Sequence, residues 1–293
     1  ADLRIETSSG TNIVVMDGKT RSLTSARDSG CGLRAFIEGA WGFSTTNSLT
    51  ASSVRDAALA AVKMAKAARA KSKVRFDITS ASAVRKSEEY RCKEKLSDVT
   101  VEDKLRFVLD RDKEMRDADP RISSTNARYD DIEVDRVVAN SFGTLAKTKE
   151  RWLVAACSAW AKSEGVLQKG HASMGSVGGY ELMRKDSALR VGKDAAEMAI
   201  RLLDSKPVPA GKYTCVLDNR MTGLLAHEAF GHACEADGVL AGASVLEGKI
   251  GQKVACDEVS LIDDPTVEDT FGYFSIDWEG VKARKHVLIE KAS

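Results

Sequence analysis

Two histidines and a glutamate, His227, Glu228 and His232, stand close together in one largely apolar segment. Histidine is a common zinc ligand in proteins, and a glutamate beside such a ligand is placed to act as a base toward a water on the metal. The familiar hydrolase pattern, His-Glu-x-x-His, puts its histidines four residues apart on one face of a helix. The chain has four histidines in all, so this pair is the first candidate for a metal site.

The spacing of the pair differs from that pattern, because His232 follows His227 by five positions. A regular α-helix turns about 100° per residue, so the two imidazoles would point roughly 140° apart, too far for one ion. One extra residue looped out as a π-bulge restores the four-residue geometry, and such bulges are frequent at functional sites. Gly231 offers the lowest steric barrier to this distortion. The sequence therefore predicts a metal site on a deformed helix, and a regular α-helix over residues 224–237 would contradict it.

The composition excludes several classes of partner. The chain has 293 residues, 43% of them hydrophobic, which is enough for one large or two ordinary domains. Its 44 basic and 43 acidic residues nearly cancel, so there is no electrostatic reason to expect nucleic-acid or membrane binding. No apolar run approaches the roughly 18 residues that span a bilayer, and no signal-peptide pattern opens the chain. We therefore expect a cytoplasmic protein that binds neither nucleic acid nor membranes.

The cysteines are scattered, without the paired spacing of a disulfide or metal-binding framework. Such usage is typical of reduced thiols in a cytosolic protein. Cys234 and Cys256 are near the histidines in sequence and are considered as metal ligands. The six positions are Cys31, Cys92, Cys157, Cys215, Cys234 and Cys256.

Residues 1–48 predict a β-meander. Asp17-Gly18 is a strong hairpin signal between the first two strands, and Glu38-Gly39 marks a further turn. Two helices follow this meander. The first is rich in alanine, begins after the capping residue Thr50 and extends to Lys71.

The second helix begins after Thr100 and ends at Asp119-Pro120. Its many charges are interpreted as a solvated face. The basic run over residues 63–73 is interpreted in the same way, as the solvated end of the first helix. Because no aromatic residues alternate with that run, it does not predict a nucleic-acid site.

β-Branched and alternating stretches predict long strands of a twisted antiparallel sheet over residues 122–129, 132–140 and 144–161. Ser141-Phe142-Gly143 is the predicted turn before the last of them. Residues 165–180 are rich in glycine, but they lack the strand–loop–helix frame and the Gly-Lys-Ser/Thr of a phosphate loop. We interpret this segment as a loop near a cleft.

Apolar residues at helical spacing predict a helix over residues 186–203, which the following prolines end. Residues 212–217 form a predicted buried strand, and Asp218 supplies the N-cap of the helix that carries the histidines. Further strands are predicted near residues 253–262 and at residues 287–290.

This order of elements favours an α+β protein over a doubly wound parallel sheet. We expect largely antiparallel or mixed sheets with several packed helices, and the histidine motif on a distorted helix. Two domains are predicted. An N-terminal α+β domain covers residues 1–120, and the domain that carries the candidate metal site covers residues 121–293.

The segment around the histidines resembles a known signature. His227-Glu228-Ala229-Phe230-Gly231-His232, followed by Glu235 and Asp237, is similar to the HEAxGHxxExD motif of the TldD/PmbA family of metalloproteases. The resemblance extends over essentially the whole chain in the same order. Its further matches are Asp17-Gly18, Gly30-Cys31-Gly32-Leu33-Arg34-Ala35, Gly178-Gly179-Tyr180-Glu181, Asp264-Pro265-Thr266 and Phe271-Gly272.

This resemblance implies a cytosolic zinc protease that cleaves short or unfolded peptides. Carried over to this chain, His227 and His232 bind Zn²⁺, and Glu228 activates the attacking water. Glu235 and Asp237 are expected to orient the histidines. Because both histidines and Glu228 are present, the chain resembles the active subunit of the family and not its related inactive partner.

The family's third zinc ligand is a cysteine in a C-terminal region, which we expect beyond Ser293. The domain over residues 121–293 is accordingly expected to be incomplete at that end. Within the chain, the two cysteines and two carboxylates nearest the histidines are only weak substitutes for this ligand. The family also implies a dimer, either of identical chains or with the related subunit.

A second hypothesis comes from a different functional class. It is a non-catalytic scaffold or partner subunit of a protease complex, in which the metal is structural or absent. The intact Glu228 argues against this hypothesis, because a structural metal site needs no base.

Overall fold

In the computed structural model, which describes residues 1–71, 78 and 82–291, the chain divides into two compact units. The first consists of Ala1–Ser205 and Val267–Ala283, and the second of Lys206–Thr266 and Arg284–Ser293. Nearly all buried hydrophobic side chains belong to the first unit. In the described part of the second unit, Ile289 is the one hydrophobic side chain that is buried.

The first unit is built on a seven-stranded sheet. Its strands are β1 (Asp2–Met16), β2 (Lys19–Ile37), β3 (Ala40–Thr46), β4 (Arg85–Glu89), β5 (Ile122–Asn140), β6 (Leu145–Ser163) and β7 (Val166–Val177). The order is β3-β2-β1-β5-β6, and both β4 and β7 pair with β6. Only the short β4 is parallel to its neighbour. The predicted α+β class with a largely antiparallel sheet is confirmed.

Helices cover one face of this sheet. They are α1 (Ala51–Lys71), α2 (Val101–Ala118), α3 (Asp186–Leu189) and α4 (Val191–Leu203). Alanines face the sheet in α1 and α4, which lets both helices pack close to it. A Cβ on Gly42 of β3 would lie 1.9 Å from the carbonyl oxygen of Ala61, and one on Gly170 of β7 would lie 2.0 Å from that of Ala195. Only glycine fits where each helix crosses its strand.

The predicted turns and caps of this unit are confirmed. Asp17-Gly18 and Glu38-Gly39 both have positive φ at their two central residues, as a tight hairpin turn requires. The hydroxyl of Thr50 accepts a hydrogen bond from the backbone N–H of Ser53, and the hydroxyl of Thr100 caps α2. These signals are local, so the sequence alone places the ends of the elements.

The prediction of a loop over residues 165–180 is wrong, because most of that segment is strand β7. One of its glycines, Gly170, is instead the point where α4 approaches the strand closely. The predicted helix over residues 186–203 is interrupted at Arg190, which separates α3 from α4. The sequence predicts no element at β4, which is a short strand of five residues.

The prediction that the charges of α2 form a solvated face is also wrong in part. Lys104, Arg111 and Asp112 are buried. The ammonium of Lys104 lies 2.6 Å from a carboxylate oxygen of Asp131 on β5, and the hydroxyl of Thr125 donates to Asp112 over 2.6 Å. Burial of these charges is possible because each has a polar partner, on the sheet for Lys104 and Asp112 and on α2 itself for Arg111, which pairs with Glu114.

Two other predictions concern the basic run over residues 63–73 and the domain boundary at residue 120. The basic run over residues 63–73 ends outside the described residues, and Lys63 and Lys66 within it are exposed. β1 pairs with β5 along its whole length, so strands from both sides of residue 120 share one sheet. The domain boundary at residue 120 remains a prediction.

The second unit has little regular structure. Its elements are α5 (Asn219–Ala226), a π turn (His227–Gly231), a 3₁₀ turn (His232–Cys234), α6 (Ala236–Leu240), β8 (Leu261–Asp263) and β9 (His286–Ile289). β8 and β9 pair with each other, and β9 confirms the strand predicted near the end of the chain.

Two predicted strands of this unit are wrong. Residues 212–217 form no strand, and Val216 among them is 99% exposed. The strand predicted near residues 253–262 is reduced to the three residues of β8. An alternating apolar pattern specifies a strand only where another strand accepts its hydrogen bonds, and residues 212–217 pair with no described strand.

Candidate metal centre

The segment that carries the histidines starts from a conventional helix cap. The carboxylate of Asp218 accepts a hydrogen bond from the backbone N–H of Met221 over 2.8 Å, as predicted. This cap fixes the start of α5, which continues without interruption into the π turn. The cap therefore fixes where the helical segment that ends in the two histidines begins.

The helix is deformed where the sequence predicted it. The backbone N–H of His232 donates to the carbonyl oxygen of His227, which is the i to i+5 hydrogen bond of a π turn. Because this turn takes in one more residue than an α-turn, residues five apart lie above one another. The two imidazole centroids are 4.4 Å apart, with 64° between the ring planes. The predicted distortion is confirmed.

Gly231 closes the π turn with ordinary right-handed angles, φ −53° and ψ −56°. Its backbone therefore does not require glycine. A Cβ at this position would lie 3.7 Å from Nδ1 of His227, in normal van der Waals contact. Neither backbone strain nor lack of space beside the first imidazole therefore requires glycine at this position.

The turn gathers three groups that could hold one metal ion. Ligand atoms of His227, Glu228 and His232 all lie within 4.8 Å of one another. Ligand atoms about 2.1 Å from a common ion are at most about 4.2 Å apart, so a modest rotation of these side chains closes the site. All three side chains are exposed. Two imidazole nitrogens and a carboxylate oxygen suit zinc.

Glu235 holds the second histidine in place. Its carboxylate lies 2.8 Å from Nδ1 of His232. This hydrogen bond, followed by the charge of the carboxylate, raises the pKa of His232. In the neutral histidine, Nδ1 donates its hydrogen to Glu235 and leaves the lone pair of Nε2 for a metal. Nε2 faces Glu228, whose carboxylate lies 3.9 Å away.

The other predicted residues lie apart from this group. Asp237 accepts a hydrogen bond from the N–H of Gly238 at the start of α6, and no contact with either histidine is found for it among the described residues. Cys234 and Cys256 are exposed free thiols outside the three-residue group. The structure thus places Glu235 against His232. Asp237, Cys234 and Cys256 lie outside the three-residue group.

One supporting contact was not predicted. The hydroxyl of Ser244 donates to the carbonyl oxygen of Ala233 over 2.6 Å and ties the following loop to the turn that contains His232. The two residues are eleven positions apart, and no motif in the sequence marks the serine.

The chain matches the PmbA/TldA metallopeptidase family over three consecutive segments. Residues 1–65 match its domain 1, residues 94–203 its central domain and residues 210–291 its C-terminal domain. The chain belongs to this family of metallopeptidases.

Among individual relatives, it is 37% identical to a protein named metalloprotease from Methanothermobacter thermautotrophicus, over 99% of this chain and 62% of that protein. It is 27% identical to the metalloprotease TldD homolog of Haemophilus influenzae, over 99% of this chain and 61% of that protein. The chain therefore spans less than two thirds of the length of these relatives.

The fold is also found in a solved structure. TldE from Thermococcus kodakarensis superposes with a TM-score of 0.73 at 18% identity, over 100% of this chain and 65% of that one. This likeness shows that the fold is shared. In the described residues, no helix is both long and apolar enough to cross a membrane.

Proposed function

We propose that this chain belongs to the catalytic subunit of a zinc-dependent peptidase that hydrolyses short or unfolded peptides. The observation that carries the proposal is the π turn, which gathers His227, Glu228 and His232. Relatives named as metalloproteases support the reaction class. Because the chain spans about 62% of such a relative, the proposal concerns the complete protein.

In this proposal, His227 and His232 hold the zinc ion through imidazole nitrogens, and Glu235 fixes the ring of His232 for that purpose. A zinc ion bound there supplies Lewis acidity toward water and the scissile carbonyl. Glu228 takes a proton from the attacking water and passes it to the leaving amine. Its carboxylate lies 3.9 Å from Nε2 of His232, close enough to reach a water that a metal on the histidines would bind.

The remaining parts of the proposal come from the family resemblance. The family resemblance implies a cysteine as the third zinc ligand, and neither Cys234 nor Cys256 joins the described group. The protein acts as a dimer, with an identical chain or a related subunit that resembles TldE. We place it in the cytoplasm, and its six unpaired thiols agree with a reducing compartment.

The proposal is tested by the Glu228→Gln variant of the full-length protein, assayed on an unfolded peptide at matched metal content. We expect kcat to fall by about 10²- to 10⁴-fold, the usual contribution of a general base. Glu247→Gln, an exposed glutamate elsewhere in the same unit, is the matched control and should retain full activity.

Equal cleavage by wild type and Glu228→Gln would remove Glu228 as the base. If neither protein cleaves any peptide while both bind zinc, the scaffold hypothesis is the better account.

A further inference from the structure

One long stretch of sheet edge has no partner strand among the described residues. Residues 19–29 of β2 pair with β1 on one side, whereas β3 pairs only with residues 31–37 of β2. In the described part of the chain, no backbone hydrogen bond reaches residues 19–29 from the other side. Most of these residues are exposed. An edge of this length presents a row of free N–H and C=O groups to solvent.

A cavity opens on the sheet face beside this edge. Its volume is about 610 Å³. The strand register places Ala26, Gly10, Ile132 and Trp152 in one row that runs inward from the edge across four strands. Ala26 and Gly10, the two small residues nearest the edge, leave space above the sheet. Ile132, Trp152 and Phe271 line the cavity further in with apolar side chains. A large apolar side chain that enters from the edge therefore finds space and apolar contact.

The other face of the same edge is basic. Arg27 points away from the cavity, because it is paired with Ser9 whereas Ala26 is paired with Gly10. Arg21 lies at the irregularity where the register with β1 shifts. Both guanidinium groups are exposed, and no ion pair is found for either among the described residues. A strand added to this edge meets a mainly apolar cavity, which Asp28 also lines, on one face and the unpaired charge of Arg27 on the other.

We propose that residues 19–29 of β2 bind an extended acidic peptide by β-strand addition. Backbone hydrogen bonds to the free edge hold the peptide, one large apolar side chain enters the cavity, and acidic side chains at alternate positions meet the arginines. A second copy of this chain is disfavoured as the occupant, because an edge paired with itself brings like-charged arginines together. This binding does not rest on the proposed peptidase activity.

The test uses fluorescent nine-residue peptides with blocked ends, in which glutamate alternates with threonine around a central phenylalanine. Binding to the full chain is followed by fluorescence anisotropy. N-methylation of alternate amides removes several strand hydrogen bonds at once and should weaken binding at least about tenfold. Replacement of the glutamates by lysine should abolish binding in the measured range.

Two variants test the two faces separately. Ala26→Trp fills the cavity, and Arg27→Glu reverses the charge on the opposite face; each should weaken binding at least about tenfold. The matched control is Lys66→Glu, an exposed basic residue on α1, which should bind as wild type does. Circular dichroism establishes that each variant is folded.

Several results would overturn the proposal. Unchanged affinity of the N-methylated peptide would remove strand addition, and unchanged affinity of both folded edge variants would remove this location. Sedimentation of the chain as a dimer that the peptide dissociates would make the edge an interface between two copies.

Discussion

The first unit, which contains the seven-stranded sheet, and the second unit, which contains the two histidines, are here called the sheet unit and the histidine unit. The contacts within each unit differ in the sequence distance that they span. In the sheet unit, strands more than a hundred residues apart pair directly, and the backbone N–H of Thr11 donates to Asp131 across 120 positions. In the histidine unit, the hydrogen bonds that shape the candidate site join His227 to His232 and His232 to Glu235. The first arrangement requires the whole fold, whereas the second is specified within one segment of about ten residues.

This difference explains what each unit tolerates. Side chains that fix the sheet are buried, so their removal leaves unpaired charge or a cavity in a close-packed interior. Side chains that form the candidate site are exposed, and their substitution changes chemistry with little effect on stability. Stability and function therefore reside in different residues of this molecule.

The largest expected effect tests the buried side of this comparison. Lys104→Met removes the partner of Asp131, in an ion pair whose side chains are 6% and 3% exposed. Because Asp131 stays buried without its counter-charge, we expect a loss of about 3–5 kcal/mol in the free energy of unfolding. Urea denaturation followed by tryptophan fluorescence measures it, since all four tryptophans belong to the sheet unit.

The control lies on the same helix. Lys113 pairs with Asp117, but both side chains are more than half exposed. Lys113→Met should therefore change the unfolding free energy by less than about 0.5 kcal/mol. Equal losses from the two substitutions would show that burial does not set the cost.

A smaller effect on stability is expected from replacing one glycine by alanine in each of the two units. Gly170→Ala places a Cβ 2.0 Å from the carbonyl oxygen of Ala195, so α4 must move from the sheet; we expect a loss of about 1–3 kcal/mol. Gly223→Ala in α5 meets no atom within 4 Å and should stabilise its helix by about 1 kcal/mol. Urea denaturation reports the first change, and slower amide hydrogen exchange in α5 reports the second. Changes of the same sign would contradict the comparison.

The smallest expected effect is a change in the pKa of His232 at the exposed candidate site. Glu235 raises the pKa of His232 through its hydrogen bond, and a protonated imidazole cannot bind a metal. Metal is therefore lost as the pH falls through this raised pKa. Glu235→Gln lowers the pKa of His232, so the loss should move to lower pH. A histidine NMR titration of the metal-free chain and a zinc titration at several pH values measure this.

The matched control for this shift is Asp237→Asn, which alters a carboxylate that contacts neither histidine in the described structure. Its His232 titration should match that of wild type. A pKa of His232 that is the same in Glu235→Gln and wild type would show that the hydrogen bond has no electrostatic effect.

The features that the sequence predicted correctly are those with local causes. The hairpin turn at Asp17-Gly18 and the caps at Thr50 and Asp218 depend on a few neighbouring residues. The same holds for the π turn, because the five-residue spacing of the histidines and the requirement for one ion together demand it. The metal itself and the role of Glu228 remain predictions.

The predictions that failed depended on distant partners. The glycines of β7 suggested a loop because α4, which packs on Gly170, is not evident from that segment. The charges of α2 suggested a solvated face because the carboxylate that meets Lys104 lies on β5. Residues 212–217 suggested a strand, yet no described strand pairs with them. A pattern in one segment does not show whether another segment will satisfy it.

The most direct test of the π turn changes the histidine spacing and measures binding of Co²⁺, whose visible absorption reports coordination. Deletion of the exposed Ala229 gives the four-residue spacing of an ordinary α-helix, and insertion of one alanine after it gives a spacing of six. We expect wild type and the deletion to bind Co²⁺ with affinities within about tenfold, and the insertion to bind at least about 100-fold more weakly. An insertion that binds as tightly as wild type would contradict the claim that the π turn builds the site.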